Sequence, residues 1–137
     1  MRIHRLTYVS TAAANLRPSD VDDIVETAQR RNAEVAITGL LLFNGTNFLQ
    51  TLEGEAPPVK SLIERIKSDP RHSGLIVLGD GPCEGRAFWG WSLGYAGLNA
   101  SRTRRAGTEG NGFDPSKMPQ ALPPELLSLY TSFDSLG

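Results

Sequence analysis

The stretch AITGLLLFNGTNFLQTLEG, residues 36–54, decides the fold. Residues 36–43 form a nearly continuous apolar run, and residues 47–53 form a second strand-like run. Between them stands Asn44-Gly45, a dipeptide favoured by the type I′ turn because both of its central residues need positive φ. The pattern predicts a β-hairpin. On its second arm Phe48, Gln50 and Leu52 recur at period two and therefore share a side.

Working outward, residues 3–10 also alternate, with Leu6 and Tyr8 on one side and Arg5 and Thr7 on the other, which predicts a strand. Pro18-Ser19-Asp20 then signals a helix start, with Asp20, Asp22 and Asp23 near the positive end of its dipole. Val21, Ile24, Val25 and Ala28 form one apolar stripe, and the helix is expected to run to Arg31 or Asn32. Beyond the hairpin, Pro57-Pro58 opens a second helix with Val59, Leu62, Ile63 and Ile66 as its stripe. It should stop near Asp69-Pro70, because proline disfavours a helical residue before it.

Residues 75–78 and 86–95 read as two more strands, with Gly79-Asp80-Gly81-Pro82 as a loop between them. Trp89 and Trp91 would share a face of the last strand, unless Gly90 marks a bulge that turns Trp91 inward. The order is βαββαββ, and both helical stripes want the same sheet face. An α+β, ferredoxin-like sandwich with two helices on one face of a mainly antiparallel sheet satisfies this. Residues 1–96 form that domain, and residues 97–118, rich in Gly, Ser, Thr, Arg and Asn, read as a linker. Residues 119–137 form a C-terminal extension whose short amphipathic helix begins at Pro123-Pro124-Glu125 and carries Leu126, Leu127, Leu129, Tyr130 and Phe133.

Composition narrows the function classes. A chain of 137 residues buries roughly two thirds of its unfolded surface, so the fold needs no disulfide or metal staple. The net charge of −1 supplies no basic field for nucleic acid or an anionic membrane, and Arg102, Arg104 and Arg105 are too few to create one. A single cysteine, Cys83, rules out an internal disulfide, and His4 and His72 belong to no set with metal-ligand spacing. No run approaches the ~20 apolar residues of a membrane span, and the N-terminus has no secretory h-region, so a cytoplasmic protein is expected. Dinucleotide, P-loop and nucleophile-elbow motifs are absent.

Gln50 is the informative oddity. On the helix-covered side its amide would be buried, and an unpartnered buried amide costs about 1–3 kcal/mol, so it should have dedicated partners. Tyr8 raises the same question on the first strand. Periodicity alone favours a structural Tyr8–Gln50 hydrogen bond, Asn32 as a helix C-cap, an i, i+4 ion pair between Arg65 and Asp69, and a solvated turn for His72.

Taken in order, however, several segments together resemble the BLUF family, blue-light sensors that use FAD. They are Leu6-Thr7-Tyr8-Val9-Ser10, Arg31-Asn32, Ile37-Thr38-Gly39-Leu40-Leu41 and Phe48-Leu49-Gln50-Thr51-Leu52-Glu53-Gly54, then Arg65-Ile66, Asp69-Pro70-Arg71-His72, Arg86-Ala87-Phe88 and Trp91-Ser92-Leu93. The resemblance covers about the first 95 residues and implies FAD, with FMN as an alternative, held between the two helices. It implies that Tyr8 donates an electron and a proton to the excited flavin, and that Gln50 bridges Tyr8 and the flavin's N5/C4=O edge. It assigns Asn32 to the pyrimidine edge, with His72 near it, and assigns Arg65 and Asp69 to anchoring the ring and its ribityl side.

Two departures stand out. Arg31 occupies a position where the family often has asparagine, and Trp91-Ser92-Leu93 replaces a Trp-x-Met element, so Trp91 and Leu93 form an altered signal-relay segment. The resemblance implies no catalytic turnover. It implies a stand-alone sensor, as a homo-oligomer, whose signal passes to a separate protein. The C-terminal helix either relays that signal or merely caps the outer sheet face. Two other classes compete: an acylphosphatase-like hydrolase using Asn32 and an arginine, whose Gly-rich anion loop is missing from residues 11–15, and a flavin-free interaction module.

Overall fold

The computed structural model describes residues 2–97, 116, 118–119 and 122–135. Its elements are β1 (Ile3–Ala12), α1 (Pro18–Glu34), β2 (Thr38–Phe43), β3 (Asn47–Gly54), α2 (Ala56–Lys67), β4 (His72–Cys83), β5 (Gly94–Gly97) and α3 (Pro124–Ser135). The strands form one sheet in the order β4-β1-β3-β2-β5, and every neighbouring pair is antiparallel except β2 and β5. This is the expected ferredoxin-like α+β architecture. Most of the linker expected over 97–118, with Arg102, Arg104 and Arg105, lies outside the described residues.

Side-chain parity sorts the core into layers. On one face α1 places Val21, Val25 and Ala28 against Leu41, Phe43, Phe48 and Tyr95. On the same face α2 places Val59, Leu62 and Ile63 against Leu6, Tyr8, Ile37 and Leu52. The alternate residues of the sheet, Leu40, Leu42, Leu49 and Ala96, meet Leu122, Leu126 and Tyr130 of the C-terminal segment on the opposite face. Each fully buried aliphatic side chain contributes about 1.5–3 kcal/mol of transfer free energy, so all three helices are held mainly by their stripes. Close approach of β2 to β3 depends on Gly39, where a Cβ would fall 2.0 Å from the Thr51 carbonyl oxygen.

Local expectations changed in five places. The hairpin forms, but its turn is not type I′. Only Gly45 has positive φ (96°), and Asn44 instead uses its side-chain oxygen to accept the Thr46 and Asn47 amides. Helix α1 runs two residues past Asn32, so Asn32 is not the left-handed cap. That conformation falls on Ala36 (φ 56°), with Ile37 N–H donating to Asn32 O and Ala36 N–H to Ala33 O, the bond pair of a Schellman motif.

Strand β4 is longer than residues 75–78 and absorbs the expected Gly79-Asp80-Gly81-Pro82 loop. It is an edge strand paired only with β1, with bulges opposite Thr7/Tyr8 and Val9/Thr11, and its exposed faces impose no hydrophobic alternation. The expected strand over 86–95 is confined to Gly94–Gly97. Upstream of it, the Ala87 and Phe88 amides both donate to the Glu53 carboxylate, at 2.8 and 3.0 Å, so they cannot enter a ladder. The two tryptophans consequently part. Trp89 is 72% exposed beside Arg86, whereas Trp91 packs on Phe88 in the outer-face core.

Candidate functional site

The cores under α1 and α2 do not merge. Between them lies an open-mouthed slot lined by residues of α1, α2, β1 to β3 and the start of β4. Apolar walls come from Ile24, Ala28, Leu41, Phe48, Leu62 and Ile66, and polar groups cluster at specific points. Such a cavity, mostly apolar with a few convergent polar groups, suits a flat organic ligand.

Tyr8 and Gln50 face each other directly across the antiparallel β1–β3 pair. Opposed residues bring their Cβ atoms within ~5 Å, so phenol and amide meet on the slot side. The Tyr8 hydroxyl donates to Gln50 Oε1, and both side chains are almost fully buried. Burial pushes the Tyr8 phenol far above the usual tyrosine range, and Tyr130 and Asp69 act in the same direction. Tyr8 is therefore a neutral hydrogen-bond donor, and Gln50 lines the slot beside it.

Asn32 is completely buried in the last turns of α1. Its Nδ2 donates to the Ser92 carbonyl at 2.8 Å, while its Oδ1 has no partner. Gln29, one turn earlier, donates to the Leu93 carbonyl at 2.7 Å, so α1 grips the 92–93 backbone twice. The adjacent Arg31 also lines the slot, and its buried Nε has no partner. Native proteins rarely leave buried polar atoms unpaired, so the orphaned Asn32 acceptor and Arg31 donor call for a ligand that supplies the complements.

The far end of the slot is organised by charge. Asp69 lies just beyond α2 and pairs with Arg71, not with Arg65; the guanidinium makes a fork, with Nε to Oδ1 at 3.0 Å and a terminal nitrogen to Oδ2 at 2.7 Å. The expected i, i+4 pair fails because α2 ends at Lys67, which takes Asp69 off the helix. Hydrogen bonding from Arg71 holds the Asp69 carboxyl below the usual carboxylate range. Arg71 also reaches Asp23 on α1, at 2.9 Å, and so ties α1 to the turn that follows α2. Arg65 lines the slot from its exposed position on α2.

His72 is not a solvated turn residue. It opens β4, its Nε2–H donates to the Ile66 carbonyl at 2.6 Å, and Nδ1 meets the Ser10 hydroxyl at 2.7 Å. Leu93 packs on the slot side with Leu41 and Phe48, whereas Trp91 packs on the outer face, and neither lines the slot. The slot thus brings together Tyr8, Gln50, Arg31, Asn32, Arg65, Asp69 and His72. Sequence reasoning missed Arg71; the Asp-x-Arg spacing of residues 69–71 was the available signal.

The family model for BLUF, sensors of blue light using FAD, matches residues 3–94. The chain belongs to the BLUF family. The matched span includes every strand of the sheet except most of β5, both slot helices, and all the slot residues named above. BLUF relatives include the photoactivated adenylate cyclase subunit beta of Euglena gracilis, 28% identical over 153 residues, spanning 96% of this chain and 18% of the relative. Among solved structures, the dark state of BlrB, a BLUF protein, aligns at TM-score 0.70 and 28% identity over 98% of this chain and 90% of its own. Klebsiella pneumoniae BlrP1 with FMN and cyclic diGMP aligns at TM-score 0.67 and 36% identity, over 76% of this chain and 28% of that protein. This chain spans about a fifth of the cyclase relative's length. Among the described residues, no helix is long and apolar enough to cross a membrane, and no group of acidic, histidine or cysteine side chains could hold a metal.

Proposed function

We propose that this BLUF chain senses blue light through Tyr8 and Gln50 and passes the signal to a separate protein. One observation carries the reading: the Tyr8–Gln50 hydrogen bond lies in the wall of a slot that also holds an orphaned acceptor, Asn32 Oδ1. That acceptor fits a ring carrying both an N–H donor and carbonyl acceptors, which is the character of a flavin's pyrimidine edge. Asn32, Arg31, Arg65, Asp69 and His72 would hold the flavin, FAD or FMN, with Arg71 bracing the site through Asp69. When bound, the flavin would supply blue-light absorption and an excited state able to take up an electron.

What the chain's own residues do follows from their chemistry. Tyr8 would pass an electron to the excited ring and its hydroxyl proton, along the hydrogen bond to Gln50 Oε1, toward the same ring; burial keeps that proton on the phenol until then. The Gln50 amide has a donor end and an acceptor end, so turning or tautomerising exchanges one for the other and changes the bond it offers the ring. The reading requires no substrate turnover. It is supported by the isolation of the pair: at 3% and 5% exposure, little water competes for their hydrogen bonds.

The relay we propose leaves the slot through Asn32. Its amide joins the cavity to the Ser92 backbone, between Trp91 on one face of the sheet and Leu93 on the other. Helix α3 lies behind the same strands, where Tyr130 O–H donates to Leu40 O at 2.9 Å and lies 3.0 Å from Thr51 Oγ1, next to Gln50. A separate partner or a second copy of the chain would read α3. We place this exchange in the cytoplasm, where the lone thiol Cys83 stays reduced.

The test is spectroscopic. Purified chain supplied with FAD should turn yellow and show a small, reversible red shift under blue light. Tyr8→Phe should retain the flavin and lose the shift. A colourless preparation would refute flavin binding, and a normal shift in Tyr8→Phe would refute the assignment of Tyr8.

A further inference from the structure

We propose that Arg31 and Arg65 form a cationic clasp that sets the charge state of the bound isoalloxazine ring, favouring its anionic reduced form. The inference rests on the flavin reading and concerns a property that reading does not require.

The slot's charges do not balance. Arg31, Arg65 and Arg71 line it, with Asp69 as the single carboxylate and Tyr8 and His72 as the other titratable groups. Asp69 is occupied by the fork from Arg71, which also holds Asp23. Among the described residues, neither Arg31 nor Arg65 has a carboxylate within ion-pair distance. Arg31 is half-buried, and its Nε is shielded from water without a partner. Desolvation, and after it the like charge of Arg65, works against its protonated form, and Asp69 offsets this only in part.

A half-buried guanidinium at Arg31, with no carboxylate in ion-pair distance and a second cation on the same cavity, costs the empty protein stability. Proteins accept such a cost where a ligand recovers it. A neutral ring offers these arginines only carbonyl acceptors. Reduction changes the terms: two electrons arrive from a low-potential dye and one proton from solvent, leaving one net negative charge on the ring. Hydrogen bonds from a cation to an anion are roughly twice as strong as neutral ones, so the clasp holds the reduced ring more tightly than the oxidised one. An asparagine at position 31 would supply a donor without the charge.

The experiment is an equilibrium reduction of the FAD-loaded chain against a reference dye, in wild type, Arg31→Asn, Arg31→Lys and Arg65→Gln. Arg31→Asn should lower the ratio of reduced to oxidised flavin about tenfold at fixed dye potential, which is about 30 mV for a two-electron couple. Arg65→Gln should move the ratio the same way, and Arg31→Lys should restore most of it. In apo-protein, Arg31→Asn should raise the melting temperature, because it removes an unpaired, partly desolvated charge. If Arg31→Asn does not fold, Arg65→Gln decides, since that side chain is exposed. Flavin that stays bound with the same potential in all four proteins would overturn the clasp and leave the flavin reading intact. A wild-type chain that takes up no FAD would overturn both.

Discussion

Glu53→Gln probes a buried hub on the face of the sheet opposite the slot. The Glu53 side chain is fully buried and its two oxygens accept five hydrogen bonds. Oε2 takes two from Arg5, at 3.1 and 2.9 Å, and one from Ala87 N–H; Oε1 takes one from the Thr38 hydroxyl and one from Phe88 N–H. An amide can place its nitrogen at either position. At Oε2 it would confront three N–H groups. At Oε1 the Thr38 hydroxyl can turn to accept, but the Phe88 amide is left without a partner. The better orientation therefore strands one buried backbone donor, costing about 1–3 kcal/mol. It also leaves the Arg5 guanidinium, 20% exposed, without its counter-charge. Removing one member of a fully buried pair costs about 3–5 kcal/mol, and partial exposure of Arg5 moderates that. We expect a total loss of about 3 kcal/mol, or about 10–15 °C in melting temperature for a chain of this size. Urea unfolding with an unchanged m-value measures the loss. Hydrogen exchange should show the Ala87 and Phe88 amides losing protection before the β1–β3 amides. A loss below about 1 kcal/mol, or unchanged protection at those two amides, would refute the claim that Glu53 shapes the 86–93 segment.

Three further outcomes follow from particular residues. Tyr130→Phe removes the phenol that meets Leu40 O and Thr51 Oγ1 behind Gln50, and should cost about 1–2 kcal/mol in urea unfolding. If α3 relays the signal, that variant will also uncouple partner regulation while the red shift persists; a pure cap would lose stability alone. Ala36→Gly relieves the left-handed strain at the Schellman position and should stabilise by about 1 kcal/mol, read as a higher urea midpoint. Burial raises the phenol pKa of Tyr8, Tyr95 and Tyr130. A raised folded-state value means the unfolded chain releases protons first, so this contribution is complete below about pH 10 and is lost as pH climbs beyond it. An alkaline titration at the tyrosinate band should therefore show no early ionisation, only a cooperative rise as the chain unfolds.

Much of the architecture was legible because its signals are local. Val21, Val25 and Ala28 on α1 and Val59, Leu62 and Ile63 on α2 recur at helical spacing, and all are buried as the stripe requires. Tyr8 and Gln50 sit at period two with Leu6, Phe48 and Leu52, which put them on one face, and the register then set them opposite each other. The errors fell where a long-range contact overrides local pattern. Residues 86–93 read as a strand from composition, yet two of their amides are claimed by a carboxylate 34 and 35 positions away. Asp69 read as the helical partner of Arg65, yet the chain leaves the helix first and Arg71 takes it.

The sequence by itself determined the βαββαββ order, the burial of Tyr8 and Gln50 on one face and, through its ordered segments, the family. Each of these depends on spacing along the chain, which a periodic backbone turns directly into direction. Only the tertiary structure decided that Asn32 Oδ1 and Arg31 Nε are orphaned in the slot between the helices. It alone decided that Trp91 and Leu93 part to opposite faces of the sheet. The physical reason is that a hydrogen-bond partner, or its absence, is a property of what packs nearby, and local periodicity carries no record of it.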